Sequence, residues 1–165
     1  MNITGKTKIL GIFGYPITHT LSPIMHNTAL EAKGLDMVYL PFEVKPDGIK
    51  TAVNAIKALN IHGVNITIPL KEAVLPFLDE ISEEAMVIGA VNTIVNKDNK
   101  LIGYNTDGDG YIASLKRELN FNIKGKKVVL LGAGGAARAI LTAVAKRGAK
   151  RVVIANRTVE RAICL

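Results

Sequence analysis

The chain has 165 residues, of which 48% are hydrophobic and 21% charged, a balance that is ordinary for globular proteins and excludes disordered and fibrous classes. The net charge is +7, but the basic residues are scattered and aromatic residues make up only 5%. We therefore expect a surface that attracts anionic metabolites, and no nucleic-acid partner. No apolar run approaches the ~20 residues of a membrane-spanning helix. The single cysteine predicts a cytoplasmic protein without an intrachain disulfide.

Strand-like and helix-like segments alternate through the first part of the chain. The pair Ser22-Pro23 predicts a helix start with Ser22 as N-cap, and Gly34 ends this helix. Pro41 favours a sheet edge or a bulge for the next strand, because proline cannot donate a hydrogen bond. The predicted strands cover 8–14, 38–44 and 63–68, and the predicted helices cover 22–33, 49–59 and 71–78, with a shorter helix after 82.

The same alternation continues to the end of the chain. The predicted strands cover 90–95, 100–104, 128–131 and 151–155, and the predicted helices cover 107–119 and 136–147. Such alternation predicts an α/β fold with a mainly parallel sheet and helices on both faces. We expect two domains, a complete α/β unit at 1–105 and the start of a Rossmann dinucleotide-binding domain at 106–165.

A glycine-rich turn with the spacing of a dinucleotide site follows the strand at 128–131. Gly132, Ala133, Gly134, Gly135, Ala136 and Ala137 fit the pattern G-x-G-x-x-A. Gly132 permits a tight turn, and Gly134 lets the backbone approach a pyrophosphate. The following helix N-terminus offers N–H groups and a positive dipole. The context of strand, turn and helix favours dinucleotide binding over a purely steric glycine turn.

The cofactor type is indicated at the end of the next strand. An NAD site places a carboxylate there to bind the ribose hydroxyl, but this strand ends in Asn156, Arg157 and Thr158, with Arg161 one turn later. Guanidinium groups suit a 2′-phosphate through paired hydrogen bonds. The sequence therefore favours NADP over NAD, with a solvated basic helix start as the alternative.

Polar residues also stand at strand ends and turns of the first unit, where α/β proteins bind ligands. Asn65 and Thr67 share one side of a strand, and Lys71 lies just past its end. Asn92 stands where the chain enters another strand, and Asp107 opens a helix. Each has a structural alternative: Lys71 as a surface lysine, Asn92 as a turn residue and Asp107 as an N-cap.

Other kinds of site receive no support from the sequence. His19, His26 and His62 lack the spacing of metal ligands, and no cysteine lies near them. Walker and nucleophile-elbow patterns do not occur. Cys164 has no base close to it in the sequence, so we interpret it as structural. We therefore expect no metal.

Six motifs, in order, resemble the shikimate dehydrogenase family. They are GYPITHTLSPIMHN (14–27), NITIPLK (65–71), GAVNT (89–93), GYNTDGDG (103–110), GAGGAARA (132–139) and NRT (156–158). The resemblance implies a shikimate-binding catalytic domain followed by a Rossmann NADP-binding domain. It also implies the NADPH-dependent, reversible reduction of 3-dehydroshikimate to shikimate in chorismate and aromatic amino acid biosynthesis.

The resemblance further implies a role for each matching residue. The substrate carboxylate is bound by Thr20 and Ser22, and the ring hydroxyls are bound by Asn65, Thr67, Asn92 and Asp107. Lys71 is the catalytic residue, paired with Asp107. The cofactor residues are Gly132, Ala133, Gly134, Gly135 and Ala136 for the pyrophosphate, Asn156, Arg157, Thr158 and Arg161 for the adenosine phosphate, and Glu83 near the nicotinamide.

The chain departs from the family pattern in two respects. Thr20 stands where the family more often has serine, which adds a methyl group and weakens the distinction between shikimate and quinate. The chain also ends after the second strand of the dinucleotide domain, so we expect a fragment with impaired activity. The alternatives are a quinate/shikimate dehydrogenase that uses NAD, and a catalytically silent module that binds shikimate or a nucleotide. The oligomeric state stays open, with a homodimer as one option.

Overall fold

The computed structural model describes residues 3–165, and its internal contacts divide the chain into two compact units. The first unit contains the chain up to Ser82 together with Val91–Tyr104, and the second contains Glu83–Ala90 and Asn105–Leu165. The second unit thus includes a segment that precedes residue 105, and the domain boundary at that residue stays a prediction. Over the described residues, no helix is long and apolar enough to cross a bilayer.

A six-stranded sheet forms the frame of the first unit. Its strands are β1 (Lys8–Gly14), β2 (Met37–Glu43), β3 (Gly63–Ile66), β4 (Glu80–Ile81), β5 (Thr93–Lys97) and β6 (Lys100–Tyr104), in the order β2-β1-β3-β5-β6-β4. The pairs β1–β2, β1–β3 and β4–β6 are parallel, whereas β5 is antiparallel to both neighbours. The predicted α/β fold with a mostly parallel sheet is confirmed, and Pro41 lies in an edge strand, as predicted.

Two α-helices connect the parallel strands, α1 (Ser22–Ala32) and α2 (Ile49–Ala58). The prediction of Ser22 as N-cap is wrong by one residue, because Leu21 holds that position and no side chain caps the helix. α2 buries Ile49, Val53 and Ile56 at a helical spacing of three and four residues, which explains its position against the sheet. α1 buries none of its residues.

The strand predicted at 63–68 ends at Ile66, and two other segments of the first unit differ more from the predictions. The helix predicted at 71–78 is a series of turns followed by a 3₁₀ helix at Leu75–Phe77. Pro76 lacks an N–H, so it cannot supply the hydrogen bond that would continue an α-helix. The strand predicted to begin at residue 90 begins at Thr93, because the N–H of Val91 instead donates to the carbonyl oxygen of Lys71 at 2.8 Å.

The second unit combines two parallel strands with four helices. They are β7 (Lys127–Leu131), β8 (Arg151–Ala155), α3 (Glu83–Ile88), α4 (Asp107–Leu119), α5 (Gly135–Lys146) and α6 (Val159–Ile163). Ile88, Ala90 and Ala139 form a small buried cluster. Gly108 and Ala139 allow α4 and α5 to approach closely, since a Cβ at Gly108 would lie only 2.7 Å from the carbonyl oxygen of Ala139.

Candidate functional site

A cavity of about 390 Å³ opens near the carboxyl ends of the parallel strands β1 and β3. The hydroxyl-bearing residues Thr20, Ser22 and Thr67 line it together with the imidazole of His19, and its apolar wall includes Ile12. The cavity has the size of a small-molecule site and combines an apolar wall with a few polar groups. Three of the predicted substrate residues therefore share one cavity.

The hydroxyl of Thr20 is oriented by the start of α1. The backbone N–H of Ser22 donates to Oγ1 of Thr20 at 3.3 Å. A threonine hydroxyl that accepts such a bond keeps its own hydrogen for donation. Because Thr20 and Ser22 also line the same cavity, this turn is suited to present hydroxyl donors to an anion without placing a charged side chain beside it.

Asn65 and Asn92 belong to one hydrogen-bond network in the first unit. Nδ2 of Asn65 donates to Oγ1 of Thr93 at 3.1 Å and to the backbone carbonyl oxygen of Asn92 at 3.3 Å. Oγ1 of Thr93 in turn donates to Oδ1 of Asn92 at 3.0 Å. The structure thus brings the two predicted amides together through a threonine that sequence reasoning did not identify.

The far side of Asn65 is held by a buried tyrosine. The phenol of Tyr39, which is 3% exposed, donates to Oδ1 of Asn65 at 2.7 Å. Burial raises the pKa of Tyr39 to about 12, so the phenol keeps its proton at neutral pH. The side chain of Asn27 makes two hydrogen bonds to the backbone of Tyr39, at 2.8 and 2.9 Å. The imidazole ring of His26 stacks on the ring of Tyr39, with 4.3 Å between the ring centroids.

Lys71 lies beyond the end of β3 at Ile66, at the start of the turns at 71–74. Its side chain is half-buried, and its carbonyl oxygen accepts the N–H of Val91 at 2.8 Å. This bond holds the backbone of Lys71 beside the segment that carries Asn92, so that the two predicted residues approach each other in the first unit.

Asp107 lies in the second unit as the first residue of α4. The N-cap is Thr106, so the alternative reading of Asp107 as N-cap is wrong. The N–H of Asp107 donates to Oδ1 of Asn105 at 3.1 Å, and Nδ2 of Asn105 donates to the carbonyl oxygen of Ala90 at 2.9 Å. Asn105 is buried and therefore sets the position of the backbone at which α4 begins.

The glycine-rich turn joins β7 to α5, as the motif predicts. Gly132 has a φ of 109°, a conformation that favours glycine. Gly134 is the N-cap of α5, no side chain caps this helix start, and a Cβ at Gly134 would meet nothing within 4 Å. The residues here thus fit a phosphate group, since the backbone is open to approach and the helix N-terminus lacks a side-chain acceptor.

The residues after β8 form a short turn that exposes two arginines. Nδ2 of Asn156 donates to the carbonyl oxygen of Thr158 at 2.7 Å, so the side chain of Asn156 stabilises the turn. Arg157 and Arg161 are exposed. Glu83, also exposed, is the first residue of α3.

Sequence reasoning missed Thr93, Tyr39 and Asn27. Thr93 is the cross-strand neighbour of Asn65 in the antiparallel pair β3–β5, a pairing that the sequence motif does not show. Asn27 and Tyr39 lie 12 residues apart and meet only because α1 packs beside β2. Asn27 lies within the first of the six motifs and Thr93 within GAVNT (89–93), so the motifs contained both residues without indicating their partners.

Two family models match the chain. The model described as the shikimate dehydrogenase substrate binding domain matches residues 12–94, and the model described as shikimate / quinate 5-dehydrogenase matches residues 113–165. Together they match parts of both compact units and contain five of the six motifs.

Curated relatives and solved structures agree with these models. A shikimate dehydrogenase (NADP(+)) from Geobacter metallireducens is 52% identical over 161 residues, which is 98% of this chain and 56% of that protein. A shikimate dehydrogenase solved in complex with NADP+ aligns over 99% of this chain and 56% of its own length, with 48% identity and a TM-score of 0.92. A third protein, from Listeria monocytogenes and solved with shikimate and NAD, gives 43% identity and a TM-score of 0.90 over 99% of this chain and 57% of its own. The chain thus spans little more than half the length of the proteins it matches.

Proposed function

The chain belongs to the shikimate dehydrogenase family, and we propose that its first unit binds shikimate and 3-dehydroshikimate for an NADPH-dependent reduction. The observation that carries the proposal is the cavity at the ends of β1 and β3, in which Thr20, Ser22 and Thr67 place three hydroxyls against an apolar wall. A cyclic acid with ring hydroxyls is complementary to such a lining, because its carboxylate needs donors and its ring needs apolar contact.

We assign the carboxylate to Thr20 and Ser22. The hydroxyl of Thr20 already accepts the N–H of Ser22, so its hydrogen is directed away from the backbone and is suited to donate to an anion. The net charge of +7 adds a general attraction for a carboxylate. The ring hydroxyls are assigned to Asn65, Thr67, Asn92 and Asp107.

Lys71 is the proposed proton donor. Bound NADPH would supply the hydride for the ketone carbon of 3-dehydroshikimate, so residues of this chain have to stabilise the negative charge that develops on the ketone oxygen. The Lys71 ammonium stabilises that charge and transfers a proton to the oxygen, so that a hydroxyl forms and the lysine is left neutral. The reverse direction uses the neutral amine as the base. Asp107 is proposed to orient Lys71 and the reacting hydroxyl.

The second unit is proposed to bind NADP. The uncapped start of α5 and the open approach at Gly134 suit the pyrophosphate. The exposed Arg157 and Arg161 suit a 2′-phosphate, with the turn held by Asn156 and Thr158, and Glu83 is assigned to the nicotinamide side. NAD-linked quinate or shikimate oxidation is the second candidate, favoured by the NAD in the Listeria monocytogenes structure. A cytoplasmic location remains part of the proposal, as does the absence of a nucleic-acid partner.

The catalytic role of Lys71 is testable in a chimera that joins this chain to the remaining C-terminal part of the Geobacter metallireducens relative. Lys71→Ala should lower the turnover of NADPH with 3-dehydroshikimate by roughly a hundredfold or more, because general acid catalysis is lost, while the KM changes little. Lys50→Ala, on the exposed side of α2, is the matched control and should retain full turnover. Turnover of Lys71→Ala near the parent value would contradict the role.

A further inference from the structure

The hydrogen bonds around Asn65 determine which way its amide faces. The backbone carbonyl oxygen of Asn92 is only an acceptor, so the atom of Asn65 that lies 3.3 Å from it must be the nitrogen Nδ2. The oxygen Oδ1 therefore lies on the side of Tyr39, whose phenol donates to it at 2.7 Å. Both hydrogens of Nδ2 are used, one by Asn92 and one by Thr93, whereas Oδ1 retains a second lone pair.

The same logic extends from Asn65 to Asn92 through a single hydroxyl. Oγ1 of Thr93 accepts from Nδ2 of Asn65, so its only hydrogen is left for Oδ1 of Asn92, 3.0 Å away. The amide of Asn92, which is 8% exposed, is thereby turned so that its oxygen faces Thr93 and its nitrogen faces the opposite side. The hydrogen bonds of this series thus all donate in the same order: Tyr39 donates to Asn65, Asn65 donates to Thr93, and Thr93 donates to Asn92.

We propose that Thr93 is a positioning residue for the substrate hydroxyls. Its hydroxyl accepts from the amide of Asn65 and donates to the amide of Asn92, and so helps to hold both side chains in the arrangement in which they would meet a ligand. The inference rests on the proposed function, because Asn65 and Asn92 are taken as the residues that bind the ring hydroxyls. Thr93 itself need not touch the substrate.

A valine at this position is the informative variant. Thr93→Val keeps the branched shape at Cβ but removes the hydroxyl, so that a hydrogen of Asn65 Nδ2 and a lone pair of Asn92 Oδ1 lose their partner. Asn65 keeps its bonds to Tyr39 and to the carbonyl oxygen of Asn92, but each amide loses one of the bonds that fix its position, and a partly buried polar group without a partner is unfavourable. Thr93→Ser is the matched control, because it keeps the hydroxyl and removes only a methyl group.

The test is an NMR titration of the complete 165-residue chain and both variants with two ligands. Shikimate carries the ring hydroxyls, and cyclohexene-1-carboxylate carries the carboxylate on a similar ring without them. We expect Thr93→Val to weaken shikimate binding roughly tenfold or more and to leave the binding of cyclohexene-1-carboxylate unchanged. Thr93→Ser should restore shikimate binding to within a few-fold of the parent.

The outcomes separate this inference from the function on which it rests. If the parent chain binds shikimate and Thr93→Val binds it equally well, or if both ligands weaken in parallel, the positioning role of Thr93 is wrong while the proposed function stands. If the parent chain binds cyclohexene-1-carboxylate as tightly as shikimate, the ring hydroxyls are not recognised, and the proposed function and this inference are both overturned.

Discussion

The carboxylate of Asp79 ties the end of the 3₁₀ segment to the sheet of the first unit. It accepts the backbone N–H of Leu101 at 2.7 Å and forms an ion pair with Lys57 at 2.8 Å. The hydrogen bond from Leu101, followed by that from Lys57, holds the pKa of Asp79 below its usual range. A carboxyl group with a lowered pKa in the folded state stabilises the fold above its unfolded-state pKa, and this contribution is lost as the pH falls.

Asp79→Asn should therefore lower the thermal stability of the chain at neutral pH. The difference in Tm from the parent should shrink as the pH falls below about 4, where the unfolded carboxyl becomes protonated, and thermal unfolding followed by circular dichroism from pH 7 to 3 measures it. Lys57→Met removes the ion pair but keeps the bond from Leu101, and so should retain the larger part of the pH dependence. A Tm difference that stays constant over this range would contradict the assignment.

At the residue scale, the sequence predicted the chemistry of single side chains better than their partners. Thr20, Ser22 and Thr67 were expected to bind substrate, and they share one cavity. The link between Asn65 and Asn92 was not expected, because it depends on the antiparallel register that places Thr93 opposite Asn65. Cross-strand neighbours of this kind are set by pairing over long sequence separations, which a local motif does not encode.

At the element scale, the packing of α4 on α5 depends on one glycine. A Cβ at Gly108 would lie 2.7 Å from the carbonyl oxygen of Ala139 and 2.9 Å from the Cβ of Ala143, and a backbone atom cannot rotate away as a side chain can. The motif GYNTDGDG predicts a role for Asp107 only. The packing role of Gly108 is visible only in the structure.

Gly108→Ala should destabilise the second unit by about 1–3 kcal/mol, because the added methyl group forces the two helices apart. Gly110→Ala is the matched control: it lies on the same helix, and a Cβ there meets nothing within 4 Å. The control should be neutral or stabilising by up to about 1 kcal/mol, since alanine favours helices over glycine. Urea unfolding of both variants provides the measurement, and equal stabilities would show that the close approach of α4 and α5 is unimportant.

The type of an element was predicted correctly where the hydrophobic pattern was periodic. It was predicted wrongly where a single residue prevented the expected element. α2 was predicted within one residue because Ile49, Val53 and Ile56 repeat at helical spacing. The segment after Lys71 was predicted as a helix, but Pro76 and the long-range bond from Val91 to Lys71 impose turns instead. The local sequence pattern cannot predict a boundary that depends on a hydrogen-bond partner far away in the sequence.

At the scale of the whole molecule, the alternation of strands and helices was enough to predict an α/β fold with a mostly parallel sheet. It did not predict that Glu83–Ala90 would join the second compact unit, because that depends on the contacts of α3 with α5. Nor did it predict that β5 runs antiparallel to β3 in the order β2-β1-β3-β5-β6-β4. The hairpin at Asp98 and Asn99, with positive φ at both residues, then turns the chain from β5 into the antiparallel β6.

The central claim is that the first unit of this chain holds shikimate in the cavity at the ends of β1 and β3. Calorimetric titration of the 165-residue chain with shikimate, and with quinate as the comparison ligand, tests it most directly. We predict saturable binding that prefers shikimate and that Ser22→Ala weakens about tenfold, because a donor to the carboxylate is lost. Binding that is insensitive to Ser22→Ala, or no binding by a chain that circular dichroism shows to be folded, would contradict the claim.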